Sequence, residues 1–257
     1  MIFNIKKQKK YNYIEEGEGH PIVLLHGLMG GLSNFDALTR FFAARGYKVY
    51  APELPIYTLP VLSTNVSTIA KFVAKFLKEI VGQPATLIGN SLGGHVGLVV
   101  AVEYQELVHS LVLTGSSGLY EKSFGETFPK RGSYEYVEQK AQEVFYDPQV
   151  ATKEIVDEVY ETVNNSSKVI KTLYVARSAI KHNMKKDLPK IKIPVLLIWG
   201  KQDNVTPPEV AVEFDTELPN SKLVWIDKCG HAPMMEHPEH FNDILYEWLD
   251  PLINGDK

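Results

Sequence analysis

Gly89-Asn90-Ser91-Leu92-Gly93-Gly94 sets a serine between glycines, directly after the run Ala85-Thr86-Leu87-Ile88 and before a helix-forming segment. A serine on a sharp strand-to-helix turn presents its hydroxyl at the carboxyl edge of a sheet, ready to attack a carbonyl. Gly89 and Gly93 leave room for the strained backbone and for close approach of helix to strand. The N–H of Leu92 lies at the helix N-terminus, where a developing oxyanion is stabilised. Acyl chemistry with Ser91 as nucleophile is the expectation.

Serine is a weak nucleophile at its free pKa, so it needs a base, and the base needs an orienter. The chain offers them in the order Ser, Asp, His. Asp203 follows the apolar run that ends at Trp199-Gly200, and His231 follows the run at 222–226; 112 and 28 residues separate the three in turn. Ligands of an open parallel sheet bind outside the carboxyl ends of its strands, so three residues just past three strand ends can converge there. Asp227 is a rival acid, close to His231 on the same connection. His26-Gly27-Leu28-Met29-Gly30-Gly31 supplies a second donor, the Leu28 N–H, with His26 read as a support for that loop. Two donors aimed at one oxyanion are what acyl transfer uses. Met29 and Phe35 are candidate pocket walls, as are Met234 and Met235 after the histidine loop. Cys229 reads as a small buried residue, and no His/Cys/Asp grouping has zinc spacing.

The elements that must position these residues alternate. Strands are expected at 2–5, 11–15, 21–25, 47–51, 85–88, 108–114, 194–199 and 222–226. The first two form a hairpin around Lys6-Lys7-Gln8-Lys9-Lys10. Helices are expected from Ser33 to about Arg45, over 64–81, over 92–106, around 208–217 and over 237–249. Val66, Ile69, Phe72, Val73, Phe76, Leu77 and Ile80 recur at helical spacing in the second of these. The alternation predicts an α/β domain with a mostly parallel sheet. From about 119 to 189 no buried strand is legible. Helix-like segments at 133–146 and 148–164 suggest a helical cap inserted into a core made of 1–118 and 190–257. Its aromatic residues Phe124, Phe128, Tyr134, Tyr136, Phe145, Tyr146 and Tyr160 are candidates for packing and for lining an apolar pocket.

A chain of 257 residues, 44% hydrophobic, can bury a large core as one domain. With 27 basic against 31 acidic residues the net charge is -4, which gives no electrostatic case for nucleic acid. One cysteine excludes an internal disulfide. No apolar run approaches the ~18 residues of a membrane span, and no signal peptide is evident. The expectation is a cytoplasmic protein with a small-molecule substrate, no membrane partner, and a monomeric or homodimeric state.

His26-Gly27, Gly89-Asn90-Ser91-Leu92-Gly93-Gly94, Gly200-Lys201-Gln202-Asp203 and Gly230-His231 together resemble the α/β-hydrolase superfamily over essentially the whole chain. The resemblance implies an eight-stranded, mostly parallel sheet flanked by helices, with a cap after the sixth strand and no cofactor or metal. It implies Ser91 as nucleophile, His231 as base and acid, Asp203 as orienter, and Leu28 and Leu92 as oxyanion donors. A serine at the elbow sets the chain apart from dehalogenases and epoxide hydrolases, which place Asp there. Small carboxylesterases and the carbon–carbon bond hydrolases of meta-cleavage pathways are the similar groups. The stretch from Ala176 to Asn183 looks like the cap-end helix of the latter, where Arg177 would meet a substrate carboxylate. Two departures stand out: Ala232 follows the histidine where those enzymes often carry Trp, and Pro52-Glu53-Leu54-Pro55-Ile56-Tyr57 lacks the glycines of the usual loop. The expected activity is hydrolysis of a small or medium carboxylic ester with an apolar part. The alternatives are carbon–carbon hydrolysis of a vinylogous diketo acid, and a ligand receptor on a hydrolase scaffold.

Overall fold

A computed structural model describes residues 3–120 and 132–255. Eight strands form one sheet in the order β1-β2-β4-β3-β5-β6-β7-β8. They are β1 (Lys6–Gln8), β2 (Tyr11–Glu16), β3 (His20–Leu25), β4 (Tyr47–Pro52), β5 (Ala85–Asn90), β6 (Val108–Thr114), β7 (Val195–Gly200) and β8 (Ser221–Ile226). β1 and β2 pair antiparallel, β2 joins β4 antiparallel, and the remaining pairs are parallel. The expected hairpin forms, but the basic run itself is its first strand. The turn falls at Lys9-Lys10, with Lys9 at φ 54°.

β5 and β7 are buried along their whole length, as central parallel strands with both faces covered must be. The helix that follows Ser91, α3 (Leu92–Glu103), is buried over residues 92–101 and has no polar face there. A helix buried on every side, here with His95 as its one polar side chain over 92–101, belongs in a core. A Cβ at Gly93 would overlap the Leu25 carbonyl oxygen, so this glycine sets how closely α3 lies on β3.

The helices around the core differ from expectation mainly at their ends. A 3-10 turn, Leu32–Phe35, precedes α1 (Asp36–Ala43), and Ser33 makes no capping bond. α2 (Val66–Phe76) is capped by Asn65, whose side chain accepts from Thr68 N at 2.9 Å, and it ends in a π-helical turn, Leu77–Val81. α7 (Pro208–Glu217), the short α8 (Pro233–Glu236) and α9 (Pro238–Asn254) complete the core.

Between β6 and β7 the described residues carry α4 (Tyr134–Gln142), α5 (Lys153–Asn164) and α6 (Ser166–Lys181), and no strand. The helix expected over 148–164 is broken in two. Asp147 accepts from Gln149 N and starts a 3-10 turn, and Ala151 leaves helical backbone at ψ 72° before α5 begins. Phe124 and Phe128 lie outside the described residues. Tyr134 packs on Tyr160 at 5.2 Å between ring centroids and Tyr146 is exposed; neither lines the cavity that holds Ser91. Among the described residues no helix is long and apolar enough to cross a membrane.

At the amino ends of the central strands sits a histidine cluster. His20 Nε2 is 2.9 Å from Thr86 Oγ1, Thr86 is 2.9 Å from Ser110 Oγ, and the His20 and His109 rings lie 5.0 Å apart. Burial, helped by the charge of His109, pushes the His20 pKa from 6.5 down to about 4. Burial lowers the pKa of His109 as well. Elsewhere in the core, burial and then the charge of the stacked His182 lower that of His95. A group with a depressed folded pKa must take up a proton on unfolding, so its contribution is full above the unfolded value and is lost on acidification. For His20 that window runs from pH 6.5 down to about 4. The expected result is a urea midpoint that falls steadily from pH 7 to pH 4.5. Equal midpoints at both ends would show that these histidines do not couple to folding.

Candidate active site

β5 delivers Ser91 at φ 53°, ψ -119°, a backbone that non-glycine residues adopt only under tertiary constraint. The constraint is visible: Ser91 N donates to Thr114 O at 3.1 Å, and Ser91 O accepts from His95 N and Ser117 N, both at 3.2 Å. Leu92 is the first residue of α3, where N–H groups have no intrahelical acceptor.

His231 and Asp203 meet as the sequence suggested. His231 Nδ1 lies 2.9 Å from Asp203 Oδ2 and 3.2 Å from Oδ1, with both side chains buried. The carboxylate also accepts from Val205 N at 2.8 Å, Thr206 N at 3.0 Å and Thr206 Oγ1 at 3.0 Å. With Nδ1 donating to Asp203, the Nε2 of neutral His231 is the acceptor nitrogen. Nothing in the sequence marks Thr206 for this role. Its main chain is fixed in turn, because buried Trp199 donates its indole N–H to Thr206 O at 2.9 Å. Asp227 is exposed and faces Lys201 and Gln202 instead of the imidazole.

The loop after β3 is held by His26. Its Nδ1 is 2.8 Å from Gly27 O, and its Nε2 accepts from Leu54 N at 3.2 Å. Donating at Nδ1 and accepting at Nε2 require neutral imidazole, and burial lowers its pKa accordingly. The ring thus ties the Leu28 loop to the 52–57 loop. Tyr57 continues that tie, its hydroxyl reaching Leu28 O and Thr172 Oγ1 of α6, each at 3.4 Å.

Ser91 and His231 line one cavity of about 740 Å³, with Leu28, Met29, Val144 and Phe145 among its walls. Apolar surface dominates the lining. The helical insertion forms one side through α4, α5 and the segment between them.

Three expected contacts are not brought to the cavity. Phe35 packs in the core beneath it, 1% exposed. Met234 is likewise buried in the core, and it is Met235 that reaches the lining. Arg177 lies on the exposed face of α6, outside the lining, because Thr172, Val175, Ala176 and Ala179 form that helix's buried stripe. Among the described residues Lys140 is the cation that does reach the cavity, and it is held by Glu143 at 2.6 Å.

A sheet of this order, with a serine elbow on its fifth strand and a His–Asp pair beyond its seventh and eighth, belongs with one class of enzymes. The family model described as alpha/beta hydrolase fold matches residues 20–238, and the chain is a member of the α/β-hydrolase family. Particular relatives sharpen the placement. The 2-hydroxy-6-oxo-6-phenylhexa-2,4-dienoate hydrolase of Comamonas testosteroni is 27% identical over 259 residues, covering 93% of this chain and 90% of the relative. An α/β-hydrolase enzyme from the sediment metagenome of the Mar Chica lagoon, Morocco, is 50% identical with TM-score 0.80, covering 96% of this chain and 97% of the other. A serine hydrolase involved in carbazole degradation is 26% identical with TM-score 0.81, covering 93% of this chain and 94% of the other.

Proposed function

We propose that this α/β hydrolase cleaves carboxylic esters with an uncharged, apolar acyl or alcohol part, through an acyl-enzyme on Ser91. The charge of the cavity carries the choice of substrate. Among the described lining residues Lys140 is the sole Lys or Arg, and its ammonium is committed to Glu143. Glu158 adds a further carboxylate to the wall. An anionic substrate gains little in such a site, whereas a neutral ester meets Leu28, Met29, Phe145 and Val159.

The steps follow from the residues. His231 Nε2 takes the Ser91 proton as Oγ bonds to the ester carbonyl carbon. The tetrahedral oxyanion rests on the N–H groups of Leu28 and Leu92. Its collapse breaks the C–O bond, and His231 returns the proton to the departing alcohol. A water, deprotonated by His231, then attacks the acyl carbon; collapse breaks the C–Oγ bond, and His231 returns the proton to Ser91 Oγ as the acid departs. Asp203, fixed by Thr206, holds the imidazole tautomer and stabilises its charged form. The helices between β6 and β7 act as a cap that limits the water reaching these steps.

Carbon–carbon hydrolysis is the second reading, favoured by the names of the curated relatives at 26–29% identity. There the same serine site would handle a ketone, and Lys140 would have to leave Glu143 to meet the substrate carboxylate. The test is a side-by-side panel of p-nitrophenyl esters and 2-hydroxy-6-oxo-6-phenylhexa-2,4-dienoate. The expected result is sustained ester turnover with kcat/KM above that for the dienoate, unchanged by Arg177→Ala. Faster dienoate consumption, with KM raised by Lys140→Ala, would establish the second reading instead. Labelling of Ser91 by a fluorophosphonate without turnover of either substrate would point to a receptor.

A further inference from the structure

Glu236 ends the short helix α8, outside the cavity lining, and the chemistry above does not use it. Its carboxylate nevertheless joins two distant parts of the chain. Oε1 accepts from Gly230 N at 2.7 Å, in the loop that carries His231, and the Cys229 thiol lies 3.7 Å from the same oxygen. Oε2 accepts from Tyr146 N at 2.7 Å and Asp147 N at 3.3 Å, in the connection between α4 and α5. Among the described residues no lysine or arginine pairs with it, so its charge faces amide donors.

The two segments also touch directly. His231 N donates to Val144 O at 2.9 Å. A Cβ on Gly230 would stand 2.6 Å from Val144 O and 2.9 Å from Tyr146 N, so that position admits only glycine at this separation. On its other side the His231 peptide is held by Asn90, whose Nδ2 donates to His231 O and to Thr114 O, both at 3.0 Å. The His231 main chain is therefore suspended between the nucleophile strand and the cap. Val144 and Phe145, on the cap side, line the cavity beside it.

We propose that Glu236 is a positioning residue: it locks the Val144–Phe145 wall of the cavity to the His231 loop, so that the pocket wall and the base hold one spacing. A bound acyl group pressing on that wall then bears on His231 through the Val144–His231 main-chain bond, which the Glu236 carboxylate braces from both sides. This inference rests on the ester-hydrolase reading. A carboxylate is required because both oxygens accept. In Glu236→Gln one oxygen becomes an NH2 group that faces an N–H donor, so one half of the clasp opens while size and shape are kept.

The experiment compares wild type and Glu236→Gln in three measurements: thermal midpoint, fluorophosphonate labelling rate of Ser91, and kcat and KM for p-nitrophenyl acetate, butyrate and octanoate. The expected result is a folded protein with slower labelling and kcat lowered about 10- to 100-fold, the scale of a small misplacement of a catalytic group. The octanoate-to-acetate ratio of kcat/KM moves toward one, because the wall that reads chain length is no longer fixed to the base. A lowered midpoint with labelling, kcat per labelled site and chain-length ratio all at wild-type values would show a merely structural role and overturn the proposal. If Glu236→Gln does not fold, Glu236→Asp keeps both oxygens on a shorter arm and should fall between, in kcat and in ratio; wild-type values in Glu236→Asp overturn the proposal as well. Should the wild-type protein label yet hydrolyse no ester, the ester reading fails, and the labelling rates alone decide the clasp.

Discussion

Ser91→Ala lowers ester turnover by about 10⁵-fold or more while leaving the fold intact, a loss on the scale of removing the nucleophile from other serine hydrolases. The fold survives because the hydrogen bonds that hold the elbow use only Ser91 N and O, and alanine keeps both. Residual activity would come from the oxyanion donors and binding. A companion variant separates geometry from chemistry. At φ 53° every L side chain is strained, so Ser91→Gly is equally inactive yet unfolds at higher denaturant. The measurements are kcat on p-nitrophenyl butyrate, mass-shift labelling by a fluorophosphonate, and urea midpoints. Retained turnover in Ser91→Ala would remove the serine from the mechanism. A midpoint for Ser91→Gly below that of Ser91→Ala would contradict the strain argument.

Asp203→Asn lowers kcat by about 10⁴-fold, with the fold again preserved. The asparagine oxygen can still accept from Val205 N and Thr206 N, at 2.8 Å and 3.0 Å in the parent. Its NH2 group then faces His231 Nδ1, which must become the acceptor. The ring proton moves to Nε2, the nitrogen that has to take the proton of Ser91. The effect is thus a wrong tautomer in an undisturbed geometry. Asp227→Asn, at an exposed carboxylate paired with Lys201 and Gln202, leaves kcat within about twofold, as surface changes usually do. A large loss in Asp227→Asn with a small one in Asp203→Asn would reverse the assignment.

The alternation of strands and helices was legible because central parallel strands are continuous apolar runs, as over residues 22–25 at the buried end of β3 and along the whole of β7. Asp203 was legible for the same reason, since it follows β7, whereas His231 follows the shorter apolar stretch at 223–226 on the half-buried edge strand β8. Side-chain direction was harder to read. Met234 and Met235 are neighbours on one turn, about 100° apart around its axis, and the sequence does not show which faces the cavity. Arg177 is different, since Thr172, Val175, Ala176 and Ala179 already mark a buried stripe at helical spacing and leave Arg177 on the opposite side. That stripe places the arginine on the surface. Glu236 meets Tyr146 and Asp147 across the chain, and no local pattern announces that contact; Thr206 lies three residues from Asp203, a spacing that by itself marks only a turn.

The histidine cluster lies at the far end of the strand that carries the serine. Thr86 stands five residues before Ser91, about 17 Å along an extended chain. One determinant of how acidic a medium the molecule survives is thus set at the opposite end of β5 from its serine, while His95 and His26, also depressed, lie beside the serine and its loop. Exchanging His20 and His109 for residues without a proton to gain would extend its acid tolerance without touching the chemistry. Selection, natural or in the laboratory, can move that share of the acid tolerance while the chemistry stands still.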